Sequence, residues 1–284
     1  MNKLAVAALA AFLIPAAAPA AASGASLDFR LKGGYAYAAI GDFNAYNDDI
    51  LKTMDWILPG GYRFSGEFPR LHGALDLEFE ASLSLSSRLR LSLSAGFLEA
   101  KGGPWSYSFS RPDGTFLFSD RVEPYARAIP VKLSISFNAL DSPRFKAFIK
   151  GGLGVYFARF YSYSFDDEGW PDASEMRVDT TATGVGVHGG VGFEAAITSH
   201  IGLVVEAEGR YAPIDNFTGT AAITSGGVTV TTNGTIYYYR APTVSNVQEF
   251  VLSAQPPPSL FSDIRKAIVD FSGFTIRGGL VIHF

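Results

Sequence analysis

The sequence has no cysteine, only 18% charged residues, and no long apolar run beyond its first residues. Without cysteine no disulfide framework is available, so an exported chain of this kind must draw its stability from backbone pairing, packing or a membrane. Nowhere after the first segment are there the roughly 18 to 20 consecutive apolar residues that a membrane-spanning helix needs. A formal net charge of -4 argues against nucleic acid as a partner. Yet 48% of the residues are hydrophobic, 14% are aromatic and 30 are glycine. The apolar character is therefore spread along the chain rather than concentrated in a few segments.

The first residues have a separate meaning. Lys3 is followed by an apolar run from Leu4 to Ile14 and then by small residues up to Ala25. This is the plan of a secretory signal peptide, and the run is too short to cross a bilayer as a helix. The expected organisation is a signal peptide over residues 1–22, with cleavage as late as Ala25 an alternative, and one mature domain over residues 23–284.

Period-two alternation dominates the mature part, which is the mark of strands with two chemically different faces. Leu27, Phe29 and Leu31 alternate with Asp28, Arg30 and Lys32; Leu75, Leu77 and Phe79 oppose Asp76, Glu78 and Glu80. Leu89, Leu91 and Leu93 flank Arg90, and Val131, Leu133 and Ile135 flank Lys132. Further stretches carry Lys150, then Glu194, then Glu206 and Glu208, and the last alternates Phe274, Ile276, Leu280, Ile282 and Phe284 with Arg277. Eight such stretches occur.

Their connections alternate between a few residues, as at Ser86-Ser87, and long segments expected over residues 39–70, 98–124, 158–180 and 212–266. Short turns on one rim and long loops on the other is the plan of an outer-membrane barrel. Each stretch is long enough to cross a bilayer at the usual tilt, and closure is required because open sheet edges do not persist in hydrocarbon. The predicted fold is all-β, a closed antiparallel transmembrane barrel of eight strands, with short periplasmic turns and long extracellular loops. Aromatics near the strand ends (Tyr35, Tyr37, Phe97, Tyr156, Phe157 and Tyr211 above; Phe137, Phe145 and Phe284 below) suit girdles at the two interfaces. The inverse arrangement, a lipocalin-like soluble barrel with its apolar face inside, would place those aromatics and loops without a reason.

A resemblance supports this reading. The ending GLVIHF, up to the terminal Phe284, resembles the signal that the outer-membrane assembly machinery reads, carried here by Phe274, Ile276, Leu280, Ile282 and Phe284. The stretch AIVDFSGFTIRGGLVIHF is similar to the closing strand of small barrels of the OmpA, OmpX and OmpW-like group, the porin family of outer-membrane β-barrel proteins. The resemblance implies the bacterial outer membrane as location, and outer-membrane lipid and the assembly machinery as partners. It implies no activity.

If lipid takes the apolar face, the other face fills a lumen too narrow for a wide pore. Arg30, Lys32, Asp76, Glu78, Glu80, Arg90, Lys132, Lys150, Glu194, Glu206, Glu208 and Arg277 then form an interior charge network, with Lys150 expected near Glu194 and Arg277 near Glu206 or Glu208. Such a network serves either as a salt-bridged plug or as a narrow ion path; the plug is the simpler reading, since opposite charges must neutralise one another away from water.

Candidates for chemistry are few. His72, Asp76, Glu78 and Glu80 share one strand face, but same-face neighbours stand ~7 Å apart, too far for one metal ion. GVGVHG over residues 184–189 matches the dinucleotide pattern, yet lies within a strand instead of opening a helix. No cofactor and no metal are expected. Barrel hydrolases pair serine with an oriented histidine; here His188 has only glycine and valine as sequence neighbours, and His72 alone lies near the outer rim. The expectation is a non-enzymatic, monomeric barrel whose outer loops bind an extracellular surface partner or a small apolar ligand; the alternative is a narrow channel for small solutes of the OmpW-like type. In the first loop, Ile50, Leu51, Met54, Ile57 and Leu58 repeat at helical spacing. In the fourth, Asn233-Gly234 reads as a hairpin turn between two segments that would make ten strands if they entered the membrane.

Overall fold

The computed structural model describes residues 26–57, 60–68, 70–166, 174–240, 247–252, 254–256 and 258–284. The predicted signal peptide and its cleavage site lie outside the described residues.

The elements in chain order are β1 (Leu27–Ala38), α1 (Asp42–Ile57), β2 (Arg63–Gly66), β3 (Gly73–Ser84), β4 (Leu89–Lys101), β5 (Trp105–Ser110), β6 (Phe116–Asp141), β7 (Phe145–Asp166) and β8 (Ser174–Ala196). There follow β9 (Ile201–Tyr211), β10 (Pro213–Ile214), β11 (Thr218–Ser225), β12 (Val228–Arg240), β13 (Val247–Leu252), β14 (Ser262–Lys266), β15 (Val269–Asp270) and β16 (Gly273–His283). No described helix is long and apolar enough to cross a membrane. Eight strands pair antiparallel in a ring: β1 with β3, β3 with β4, β4 with β6, β6 with β7, β7 with β8, β8 with β9, β9 with β16, and β16 back to β1.

The pleat fixes the two faces of this ring. On β6, Leu133 and Ile135 point outward and are more than half exposed, whereas Lys132 and Ser134, which alternate with them, are buried. Leu31, Leu153 and Val185 are likewise exposed, at 64%, 67% and 75%. In water so broad an apolar exterior would aggregate; in a bilayer it is the solvated face. Phe137, Phe145 and Phe284 stand at one end of this band, and Tyr35, Phe157 and Tyr211 at the other. Tyr156 departs from the predicted girdle: it faces inward and is 1% exposed. Its even position on β7 shares the parity of Lys150, so the pleat turns it away from lipid.

Three of the expected long loops, 98–124, 158–180 and 212–266, are mostly sheet. β6 and β7 remain paired as far as Asp120 and Asp166, and β7 and β8 as far as Asp166 and Ser174, so the strands run on well beyond the apolar band. The reason is visible in FARFYSYSF, where alternation continues past the last lipid-facing residue. Above the ring, β8 leaves β9 and pairs with β11, and the hairpin β11–β12 extends this outer sheet without joining the ring. The hairpin turns at Gly226-Gly227, not at Asn233-Gly234, which sits inside β12 opposite Gly219 and Thr220. Gly226 and Gly227 have φ of 56° and 77°, the positive values that both central residues of a two-residue type I′ turn require. The first loop does contain the helix, longer than predicted, as α1.

The outer end of the ring is filled by protein. Inward-facing Ala36, Ala38, Ala74, Ala100, Ala126, Ala128 and Ala158 leave space there. Into it fold Ile40, Phe43, Leu71, Ile214, Phe217 and Phe271, which with Leu98 and Phe160 form one buried apolar cluster. The start of α1 is fastened at this end. The Asp42 carboxylate accepts from the Ile268 amide at 2.8 Å and from Arg265 Nη2 at 2.6 Å, while Asn44 Nδ2 donates to the carbonyls of Ala39 and Leu71.

Candidate functional site

Beneath the apolar cluster lies the charge network. Strand pairing alone brings most of it together: Arg30 is opposite Glu80 and Lys32 opposite Glu78 on β1 and β3, and Arg277 is opposite Glu206 on β16 and β9. The middle of the interior is a set of interlocked ion pairs. Lys32 Nζ lies 2.7 Å from Glu78 and Glu80 and 2.9 Å from Glu206. Lys150 Nζ lies 2.6 Å from Glu206 and 3.2 Å from Glu208, and Lys132 pairs with Glu208 at 2.8 Å and also with Glu78. Arg277 reaches Asp76 at 2.8 Å, Glu206 at 2.9 Å and Glu208 at 3.0 Å.

Toward the turn side a second layer forms. Arg30 donates to Glu80 at 2.6 Å and lies 3.2 Å from Glu194; Arg90 stands 3.6 Å from Glu194 and also hydrogen-bonds Asn138. Glu194 is thus paired with Arg30 and Arg90, and with Lys146 at 3.7 Å, not with the expected Lys150. Lys150 stands opposite Gly190 and reaches across it. Asp28, absent from the predicted network, lies 3.6 Å from Arg30, 3.5 Å from Arg90 and 2.8 Å from His283. Its place on the polar face of the first strand was signal enough to include it.

Apart from Lys146 and His283, which lie at the turn-side edge, these groups, six cations and seven carboxylates, are all at most 7% exposed. A charge in such surroundings is tolerable only with partners of opposite sign, and each one here has at least one. Glu78, Glu206 and Glu208 bring oxygen atoms within 4.8 Å of one another, a spacing that could hold a metal ion. Lys32, Lys132, Lys150 and Arg277 already occupy that position, so the cluster presents no uncompensated negative charge to a cation. His72 joins none of this: its ring stacks on Tyr37 at 5.2 Å, outside the network.

Glycines on the inward face admit the larger side chains. Gly152 stands between Ser134 and His188 in register, and across it Ser134 Oγ and His188 Nε2 are hydrogen-bonded at 2.8 Å. Neighbours in sequence could not reveal this pair, because the two residues are two strands apart. His188 Nδ1 has no hydrogen-bond partner among the described residues, so the third group that orients a catalytic imidazole is missing from the arrangement. Residues 184–189 lie inside β8, as the reading of GVGVHG as strand requires.

Two polar recesses open at the turn end of the ring. The larger, of about 730 Å³, is lined by Ser26, Asp28, Ser84, Arg90, Asn138 and Lys146 among others. Its lining includes the buried Asp28 and Arg90. Phe274, Ile276, Leu280, Ile282 and Phe284 all face outward along β16 and are 45–72% exposed.

A ring of antiparallel strands with a polar, ion-paired interior and an apolar exterior defines a protein of the bacterial outer membrane built as a β-barrel. The chain belongs to the outer membrane protein beta-barrel domain family, whose sequence model matches residues 5–238. Among solved structures it is similar to a major outer membrane protein from Thermus thermophilus, at 12% identity and a TM-score of 0.43, over 91% of this chain and 99% of that one. It is also similar to the outer membrane protein OprG from Pseudomonas aeruginosa, at 13% identity and a TM-score of 0.35, over 90% and 95% of the two chains. A third is the outer membrane protease OmpT from Escherichia coli, at 10% identity and a TM-score of 0.28, over 92% and 96%. Among curated proteins none matches the chain in sequence.

Proposed function

We propose that the ring is a closed eight-stranded transmembrane barrel, that its interior is a plug and not a conduit, and that its outer sheet binds a surface partner. The observation that carries the last step is the tip of hairpin β11–β12. Ile223, Val228 and Val230 share one face there and are 49%, 65% and 62% exposed, with Ile223 paired to Val230. The hairpin stands clear of the ring, so these side chains meet water rather than lipid. An exposed branched-apolar patch on a soluble surface marks a contact for apolar side chains of another molecule or for a small apolar ligand. Thr224 and Thr229, hydrogen-bonded on the opposite face, keep that side polar.

Against a channel stand the stacked obstacles of the interior: a layer of ion pairs with no exposed members and, above it, the apolar cluster under α1. No enzymatic activity is assigned. The lipid of the outer membrane and the assembly machinery, through the β16 residues, are the remaining partners of this reading.

Cells carrying the protein should adhere to an alkyl-coated surface more than cells without it, and the triple variant Ile223→Ser, Val228→Ser, Val230→Ser should lose most of the gain. Equal adhesion of wild type and variant, at equal surface amounts, would remove the hairpin from the account.

A further inference from the structure

Where β8 exchanges β9 for β11, its edge is unpaired. β9 accompanies it from Ala196 to Val187 and β11 from Thr181 to Ser174, leaving Ala182, Thr183, Gly184, Val185 and Gly186 with no ladder partner on that side among the described residues. Beside this edge, on the outward face, lies a groove of about 490 Å³ bounded by Arg127, Ile129, Phe157, Arg159, Thr181 and Thr218 among others.

The groove has two chemical levels. Ile129 and Phe157 belong to the apolar band, paired in register. One outward position higher, Arg127 and Arg159 are likewise paired. From Phe137 to Arg127 the strand climbs about 25 Å, at ~3.3 Å per residue and a tilt near ~40°, which is the height of the apolar band in such barrels. The two guanidinium groups therefore sit where lipid headgroups begin. Arg159 is fixed by a two-point pair with Asp179, through Nε at 2.6 Å and Nη2. Arg127 lies over the Tyr125 ring at 5.8 Å. Glu99 stands opposite Arg127 on β4, yet among the described residues no carboxylate comes within ion-pair distance of Arg127.

We infer that this groove binds a phosphorylated lipid of the outer leaflet, its phosphate held by Arg127 and Arg159 and its acyl chains lying on Ile129 and Phe157. A guanidinium presents planar paired donors that match phosphate oxygens, and the adjoining hydroxyls of Thr181 and Thr218 and the unpaired strand edge supply further polar contacts at the same level. Backbone groups at the membrane boundary need such partners. With Glu99 and Asp179 nearby the patch is close to neutral, so recognition rests on short-range hydrogen bonds and not on a long-range field.

The test uses the full barrel refolded in detergent and incubated with phosphorylated lipid A, with the same lipid stripped of its phosphates, or with inorganic phosphate, and reads retention by native mass spectrometry. The phosphorylated lipid should be retained preferentially. Arg127→Gln with Arg159→Gln should weaken retention about tenfold, equivalent to about 1.4 kcal/mol, while Arg177→Gln, outside the groove, changes nothing. Boiling-dependent gel mobility shows that each variant is folded, and the comparison of the two lipids on wild type decides the matter even if one is not. Equal retention of both lipids, or retention unmoved by the double variant, would overturn the inference; displacement of the lipid by equimolar inorganic phosphate would overturn the choice of a lipid over a free anion.

Discussion

Phe148 occupies the space that a side chain at position 192 would need: a Cβ on Gly192 would lie 2.2 Å from Phe148 Cζ. The same ring lies under both Arg30 and Arg90, at 5.9 and 5.5 Å from their guanidinium carbons. Glycine on one strand thus makes room for an aromatic ring on the next, which supports two buried cations. Gly192→Ala should cost about 1–3 kcal/mol by overpacking, and Phe148→Leu in the same chain should return part of that loss. Urea unfolding in lipid vesicles, followed by gel mobility, measures both.

The ion pairs depend on one another in a comparable way. Lys32 touches three carboxylates, so Lys32→Met leaves buried negative charge without its counterion and should destabilise the barrel by about 3–5 kcal/mol. Adding Glu206→Gln should recover part of this, because one of the stranded charges is then gone. A double-mutant cycle by the same unfolding assay would show coupling of at least about 1 kcal/mol; simple additivity would mean that the network does not act as a unit.

Outside the membrane, acidity should tune the outer sheet. Asp120 on β6 is pushed up to about 6 by burial and by Asp166, which stands opposite it, although the Tyr107 hydroxyl donates to it at 2.9 Å. The folded carboxyl therefore binds its proton more tightly than the unfolded one, whose ordinary value is 3.8. Local stability is then greatest below about pH 4, falls as pH rises to about 6, and is level above that. Hydrogen exchange of the β5–β6 amides should speed up over this window, by the equivalent of about 1–3 kcal/mol. Asp120→Asn should flatten the profile.

How much of this was legible in the sequence depended on range. Alternation placed each strand's two faces and the turn at Ser86-Ser87, because a pleat acts on neighbouring residues only. Partners across the interior were harder. The expectation that Lys150 meets Glu194 failed because register had to be counted across strands, and the Ser134–His188 pair needs the gap at Gly152 to exist at all. The inward alanines at the outer strand ends were in plain view, but nothing local says which loop segments fill the space they leave.

The hairpin shows two local signals in competition. Asn233-Gly234 is a strong turn dipeptide, yet Gly226-Gly227 gave the turn, since that choice pairs Thr218–Ser225 with Val228–Thr235 along their whole length. Gly227 has open space around it and φ of 77°, so only backbone strain opposes a side chain. Gly227→Val should cost about 1–2 kcal/mol and Gly227→Asn less; protection of the Ile223 and Val230 amides from exchange reports the difference.

An interior plugged by ion pairs and an apolar cluster passes no ions. Refolded protein inserted into planar bilayers should give no single-channel steps at moderate voltage, and Arg277→Gln should leave the trace silent. Steady conductance in wild type that changes when Arg277 is neutralised would mean that the interior is open and that the charge network is an ion path.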